Sequence, residues 1–259
     1  MSKTVRHIIN GVSALLLSAC LILAYISGVS CRTPLECTGL QVTIADSCDN
    51  SFVSPADVKR FLDKEYGKYL GERLDSIDLV KVEKIIDGRS AVHKSQAYIT
   101  RDGKLNVTVT QRKPLVRFQK EDGGFYADAE GFLFPLQSSY ASRVQVVDGE
   151  IPLKANSGYK GELTDPKEKE WLAKVVDVVR YMEESETWKD RIVQITVTDN
   201  GELTMVPREG DERFLFGQPV NIEEKFMKME LYYTGILPAK GKGTYKTVSL
   251  EYDGQIVCR

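Results

Sequence analysis

Asp128 and Glu130 are a pair whose type and spacing suggest acid–base chemistry. They stand beside Phe125, Tyr126 and Phe132 inside QRKPLVRFQKEDGGFYADAEGFLFP, residues 111–135. A glycosidase places two such carboxylates around the bond it cleaves. The pattern carries less than it first suggests. Residues two apart on a strand share one face, and in a chain with 37 Asp and Glu such pairs arise by chance beside a glycine-containing turn. They read as solvated loop carboxylates.

The two histidines add no chemistry. His7 precedes an apolar run and His93 precedes a predicted strand, and a lone histidine of this kind reads as structural. No CxxC, HExxH, P-loop or GxSxG pattern occurs, so zinc, phosphate and serine-hydrolase readings have no motif behind them. The sequence predicts a protein that is not an enzyme, with no catalytic residue, cofactor, metal or small-molecule substrate.

The elements around the carboxylate pair explain the stretch differently. Arg112 and Lys113 end one module, Pro114 breaks the strand, and Phe125, Phe132 and Phe134 begin the core of a second. Upstream, Gly39–Ile44 reads as a strand. Ser54-Pro55-Ala56-Asp57 has capping-box spacing, with Val58, Phe61 and Leu62 on the buried face. Ile77 to Ile86 reads as a second helix, ended by Gly88. Two β-prone runs flank Asp102-Gly103, a strong hairpin signal. Two helices on a three-stranded sheet follow from that order.

Downstream, a hairpin is expected around Ala129-Glu130-Gly131 and a short strand at Val144–Val147. A capped helix opens at Asp165-Pro166, a hairpin crosses Asn200-Gly201, and a helix opens at Asn221–Glu224, again with capping-box spacing. The chain closes with Thr247–Tyr252, Asp253-Gly254 and Gln255–Arg259.

The first thirty residues are different in kind. Ile8–Ile26 is an uncharged run with Lys3, Arg6 and His7 before it, about the roughly 20 residues a bilayer requires. It predicts a single membrane helix, the N-terminus in the cytoplasm and everything later across the cytoplasmic membrane in the periplasm. A lipoprotein box at Leu17-Ser18-Ala19-Cys20 and a cleaved signal near Gly28-Val29-Ser30 stay open as alternatives. The apolar continuation through Ile26 favours the anchor. With 35 Lys and Arg against 37 Asp and Glu, a net charge of −2 and no basic cluster, nucleic acid is not an expected partner. If Leu40–Ala45 is extended, Cys37 and Cys48 lie beyond the roughly 7 Å a disulfide spans. Unpaired cysteines are therefore expected.

The predicted fold class is α+β. A tail (1–7), one N-terminal transmembrane helix (8–26) and a linker (27–36) lead to the two-helix, three-stranded module (37–113). A second, mixed β domain with flanking helices (114–259) follows.

The order of these features resembles the FtsQ/DivIB family of bacterial cell-division proteins. Matching segments include Phe52–Val58, Ile77–Glu83, Leu105–Pro114 and Gly124–Pro135. Phe216-Gly217, Lys225-Phe226, Leu231-Tyr232-Tyr233 and Val248–Val257 continue the match. The resemblance implies a POTRA module, then a β domain, in a scaffold at the division septum. It implies partners of the FtsB and FtsL type and, through them, regulation of septal peptidoglycan synthesis. It also implies a partner surface on the last strands: Ser249, Glu251, Tyr252, Gly254, Ile256, Val257 and Cys258. Two other functions were weighed against the residues, a POTRA-bearing export protein and a periplasmic carboxylate hydrolase. The first is disfavoured because only one module, and no barrel-length alternation, is present.

The terminal strands also carry an expected register. A two-residue Asp253-Gly254 turn pairs Tyr252 with Gln255, Leu250 with Val257 and Ser249 with Cys258. The N–H groups of Ile256 and Cys258 then point away from the hairpin.

Overall fold

The computed structural model describes residues 12–13, 15–25, 35–46, 51–121, 123–138 and 140–259. Ser54 starts helix α1 (Pro55–Glu65) as its spacing predicts. Its Oγ accepts the Asp57 N–H at 3.2 Å, and an Asp57 carboxylate oxygen accepts the Ser54 N–H at 3.0 Å. Val53 and Val58, flanking the cap, are both buried, and Gly67 follows the helix end at φ +94°, a conformation that glycine adopts at little cost.

The cap has a pH signature. The Ser54 hydroxyl, then the Ser54 N–H and Arg60, hold the Asp57 carboxyl below its ordinary range. A depressed carboxyl contributes stability above its unfolded value, about 3.9, and that contribution is lost as pH falls through the folded value. Acid titration of Ser54→Ala should show a shallower loss of stability below about pH 4 than the native chain. Parallel curves would mean the capping box contributes nothing.

In the first sheet, β3 (Lys104–Gln111) lies between β1 (Gly39–Ile44), which runs parallel to it, and β2 (Val92–Ile99), which runs antiparallel. Helix α2 (Leu79–Asp87), capped by Asp78, joins α1 over this sheet. Val58, Leu62, Val82 and Ile86 meet Leu105, Val107 and Val109 in one core. Phe61 departs from expectation. It is only partly buried, and the Arg89 guanidinium, itself paired with Glu65, lies 4.1 Å from its ring centre. A cation over a half-exposed ring replaces the core contact that the helix spacing implies.

The second sheet has nine strands: β4 (Pro114–Lys120), β5 (Gly123–Asp128), β6 (Leu133–Pro135), β7 (Gln145–Gly149), β8 (Ile192–Val197), β9 (Leu203–Pro207), β10 (Arg213–Gly217), β11 (Thr247–Ser249) and β12 (Val257–Cys258). Their order is β12-β11-β10-β9-β8-β7-β4-β5-β6. Pro114 does not end a strand here but opens β4 opposite Asp128, a first-residue position where a missing N–H costs no ladder bond. Helices α3 (Pro166–Glu184) and α4 (Ile222–Leu231) share a core with alternate strand residues, including Val147, Ile195, Met205, Phe214 and Val248.

The β5–β6 hairpin serves two cores at once. Phe125, Ala127 and Leu133 belong to the core under α3 and α4, whereas Tyr126 and Phe134 belong to the core of the first module. Strand alternation is the cause, since neighbours point to opposite faces. Phe134 is therefore not the second-module core residue that the sequence suggests. It packs with Phe52 of the first module, whose ring is edge-on to Tyr126, Phe134 and Tyr140 at 5.7, 6.0 and 5.1 Å.

The N-terminal expectation requires correction. Among the described residues no helix is long and apolar enough to cross a membrane. The transmembrane helix over Ile8–Ile26 is not supported, and neither is the single-pass membrane localisation built on it. Residues 8–11, 14 and 26 of that run, the tail (1–7) and residues 27–34 of the linker lie outside the described residues.

Candidate functional site

Asp128 is where the sequence suggested chemistry, and its carboxylate is fully engaged in structure. One oxygen accepts Arg112 Nη1–H at 2.9 Å; the other accepts the N–H groups of Glu130 (3.0 Å) and Phe132 (2.9 Å). Arg112 and Asp128 side chains are only 11% and 9% exposed, and the guanidinium sits 3.4 Å from the Phe132 ring centre. Glu130 is exposed on the turn. His93 borders the same shallow cavity of about 220 Å³, but it is exposed and stands on β2. The two carboxylates thus have unlike environments. Asp128 ties the start of the second sheet to its hairpin and has no free oxygen to offer a substrate.

Of the seven residues expected to bind a partner, Val257 and Cys258 form β12, Ser249 stands buried on β11, and Glu251, Tyr252, Gly254 and Ile256 lie in the segment between. β12 is the terminal strand of the nine-stranded sheet, and among the described residues no strand pairs with its outer side. Val257 lies opposite Ser249, and Cys258 opposite Val248. Ile256 and Cys258 are partly buried against the core. Cys258 is a free thiol whose pKa burial pushes upward; Cys20 and Cys37 are also free, while Cys31 and Cys48 lie outside the described residues. Ser249 Oγ donates to Glu251 Oε2 at 2.7 Å. The Glu251 stem lies over Gly217, where a Cβ would meet Glu251 Cγ at 2.8 Å. Tyr252 is 51% exposed.

The register differs from the one the Asp253-Gly254 turn implies. Ser249 pairs with Val257, not Cys258, and Leu250 does not face β12 at all: its N–H donates to Leu215 C=O on β10 at 3.0 Å. Parallel pairing with β10 therefore dictates which β11 residues look outward. Thr247 and Arg259 exchange N–H···O bonds at 2.9 and 3.0 Å. Alternation then makes Val248–Cys258 a non-bonded pair, with the Cys258 N–H and C=O turned outward. The slip falls on the β11 side, so the outward assignment of Ile256 and Cys258 is unchanged.

The turn itself explains the slip. Gly254 has φ +64°, but Asp253 is not in the left-handed region. The Gln255 N–H donates to Tyr252 C=O at 3.3 Å. One positive φ at the third position defines a type II turn, which splays the strands that a type I′ turn would zip together.

Two residues important to this edge had no signal in the sequence beyond helical i,i+4 spacing. Lys228 and Glu224, on α4, pair at 2.7 Å and reach the 250–254 segment. The Lys228 hydrogen bond, then the Gly254 N–H, hold the Glu224 carboxyl below its ordinary range. The capping box expected at Asn221–Glu224 is absent: Asn221 has φ +53° and makes no side-chain cap bond.

A two-helix, three-stranded module is followed by a long mixed sheet whose terminal strand, among the described residues, leaves an edge of the kind that pairs with another extended segment. Comparison with known families agrees. Residues 35–110 match the POTRA-like domain. Residues 113–259 match the FtsQ/DivIB, C-terminal related family; this match spans more than half of the chain, and the chain belongs to that family. No curated protein matches the sequence. Both domain families are non-catalytic scaffold domains, and together they support a role as a cell-division scaffold.

Proposed function

We propose that this chain is a division scaffold that docks bitopic proteins of the FtsB and FtsL type on its terminal strand and, through them, regulates septal peptidoglycan synthesis. In this reading residues 37–113 form the POTRA-like module and 114–259 the partner-binding domain. The observation that supports it is β12 standing at the free end of the nine-stranded sheet. An unpaired edge presents a row of N–H and C=O groups to any extended segment, and side chains of alternate parity supply selectivity. Ser249, Glu251, Tyr252, Gly254, Ile256, Val257 and Cys258 would line the docked strand.

Proline substitution tests this directly. Cys258→Pro removes an outward donor, and Ile256→Pro does the same one turn of the ladder earlier. Each should weaken partner binding by roughly two- to tenfold, the equivalent of about 0.5–1.5 kcal/mol, with the melting temperature little changed. Val257→Pro removes a donor that faces β11 and should lower the melting temperature instead. Titration of soluble FtsB- and FtsL-type segments, beside a thermal melt, reads both effects. Normal binding by folded Cys258→Pro and Ile256→Pro would sink the docking edge.

A further inference from the structure

The chain contains two Asp-Gly hairpins that close differently. At Asp102-Gly103 the strands pair up to the turn. Gly103 N–H donates to Thr100 C=O, and Thr100 N–H to Lys104 C=O, both at 3.0 Å. At Asp253-Gly254 the ladder stops at Ser249–Val257. Continued in the same register, it would set Glu251 opposite Gln255 and place the Gly254 N–H on the Glu251 carbonyl, as in the first hairpin.

Helix α4 takes the Gly254 N–H away and fixes the residues on either side of Glu251. The Gly254 N–H donates to Glu224 Oε1 at 3.3 Å. Lys228 Nζ donates to the carbonyls of Tyr252 (2.7 Å) and Leu250 (3.5 Å) and pairs with Glu224 Oε1 at 2.7 Å. An ammonium has three N–H donors, and these three acceptors account for them on a side chain whose residue is 5% exposed. Lys228 acts where β10 stops at Gly217: β10 takes the Leu250 N–H, and the lysine takes the next two carbonyls on that side.

We propose that Glu224 and Lys228 are positioning residues of the docking edge, holding the terminal hairpin open between Ser249 and Val257. Glu251 and Gln255 are thereby kept from pairing with each other: the Glu251 N–H donates to Ser249 Oγ at 3.5 Å and the Gln255 N–H to Tyr252 C=O at 3.3 Å. This rests on the reading of β12 as the docking edge.

Residue-resolved amide exchange by NMR on the full chain tests the clamp without any partner. In Lys228→Met, which keeps the stem and removes the three donors, the hairpin should close. The Glu251 amide should then exchange at least about tenfold more slowly, with a new cross-strand contact to Gln255. Glu224→Gln, at a partly exposed position, should give the same change at smaller size and stands in if Lys228→Met does not fold. Unchanged or faster exchange at Glu251 in the folded variants would overturn the clamp. Titration with FtsB- and FtsL-type segments then separates the two ideas. A closed hairpin that binds more weakly supports both; a closed hairpin that binds normally leaves the clamp standing and removes the docking edge.

Discussion

Asp128→Ala should destabilise the protein by about 3–5 kcal/mol, the usual cost of removing one partner from a buried ion pair. The loss has three parts on one atom set. Arg112 is left as an unpaired charge that is only 11% exposed, and the N–H groups of Glu130 and Phe132 lose their acceptor. Arg112 still has the Phe132 face at 3.4 Å, which keeps the cost from rising further. Asp128→Asn should lose less, because an amide oxygen can still accept the two turn N–H groups. Urea titration of both variants gives the comparison. Equal losses would mean that the turn hydrogen bonds matter little and the charge of Asp128 carries the effect.

Phe52→Ala should cost a further independent 3–5 kcal/mol, about the usual price of a large-to-small core change, and it should do more than lower one midpoint. Phe52, of the first module, is 5% exposed and packs against three rings of the second. Tyr126 and Phe134 complete this apolar boundary, with Phe132 and Leu136 packed against it, and polar ties flank it. Lys160 Nζ donates to the carbonyls of Asp87 and Gly88 at the end of α2 (3.2 and 2.8 Å), and Gln137 Nε2 to Ser90 Oγ at 3.3 Å. Removing the ring should therefore uncouple the modules. Both tryptophans, Trp171 and Trp188, pack in or against the core of the second module, so fluorescence follows that module alone while circular dichroism follows both. The two probes should coincide in the native chain and separate in Phe52→Ala. Coincident transitions in the variant would show that the remaining contacts suffice to couple the two.

These two residues also mark how far the sequence could be read. Local signals were sound where a few adjacent residues determine the outcome. The Ser54–Asp57 box, the Asp165-Pro166 helix start and the Asn200-Gly201 and Asp102-Gly103 hairpins all occur as their spacing implies, because each depends on side-chain oxygens, a fixed φ or a glycine within one turn. The order of modules was legible for the same reason.

What the sequence could not reveal is which of two equivalent faces meets which neighbour. Alternation says that Phe125 and Tyr126 point apart, and only the second module's position against Phe52 decides that both faces are buried. The apolar run Ile8–Ile26 is long enough as a string, yet among the described residues no helix is long and apolar enough to cross a membrane. At the C-terminus, Asp253-Gly254 favours a tight hairpin by local chemistry. The register was set instead by Leu215 capturing the Leu250 N–H and by Lys228 and Glu224 capturing Tyr252 and Gly254. Those partners lie some 20 to 35 residues away in the chain, and a short turn preference of this kind is outweighed once several hydrogen bonds pull the same segment the other way.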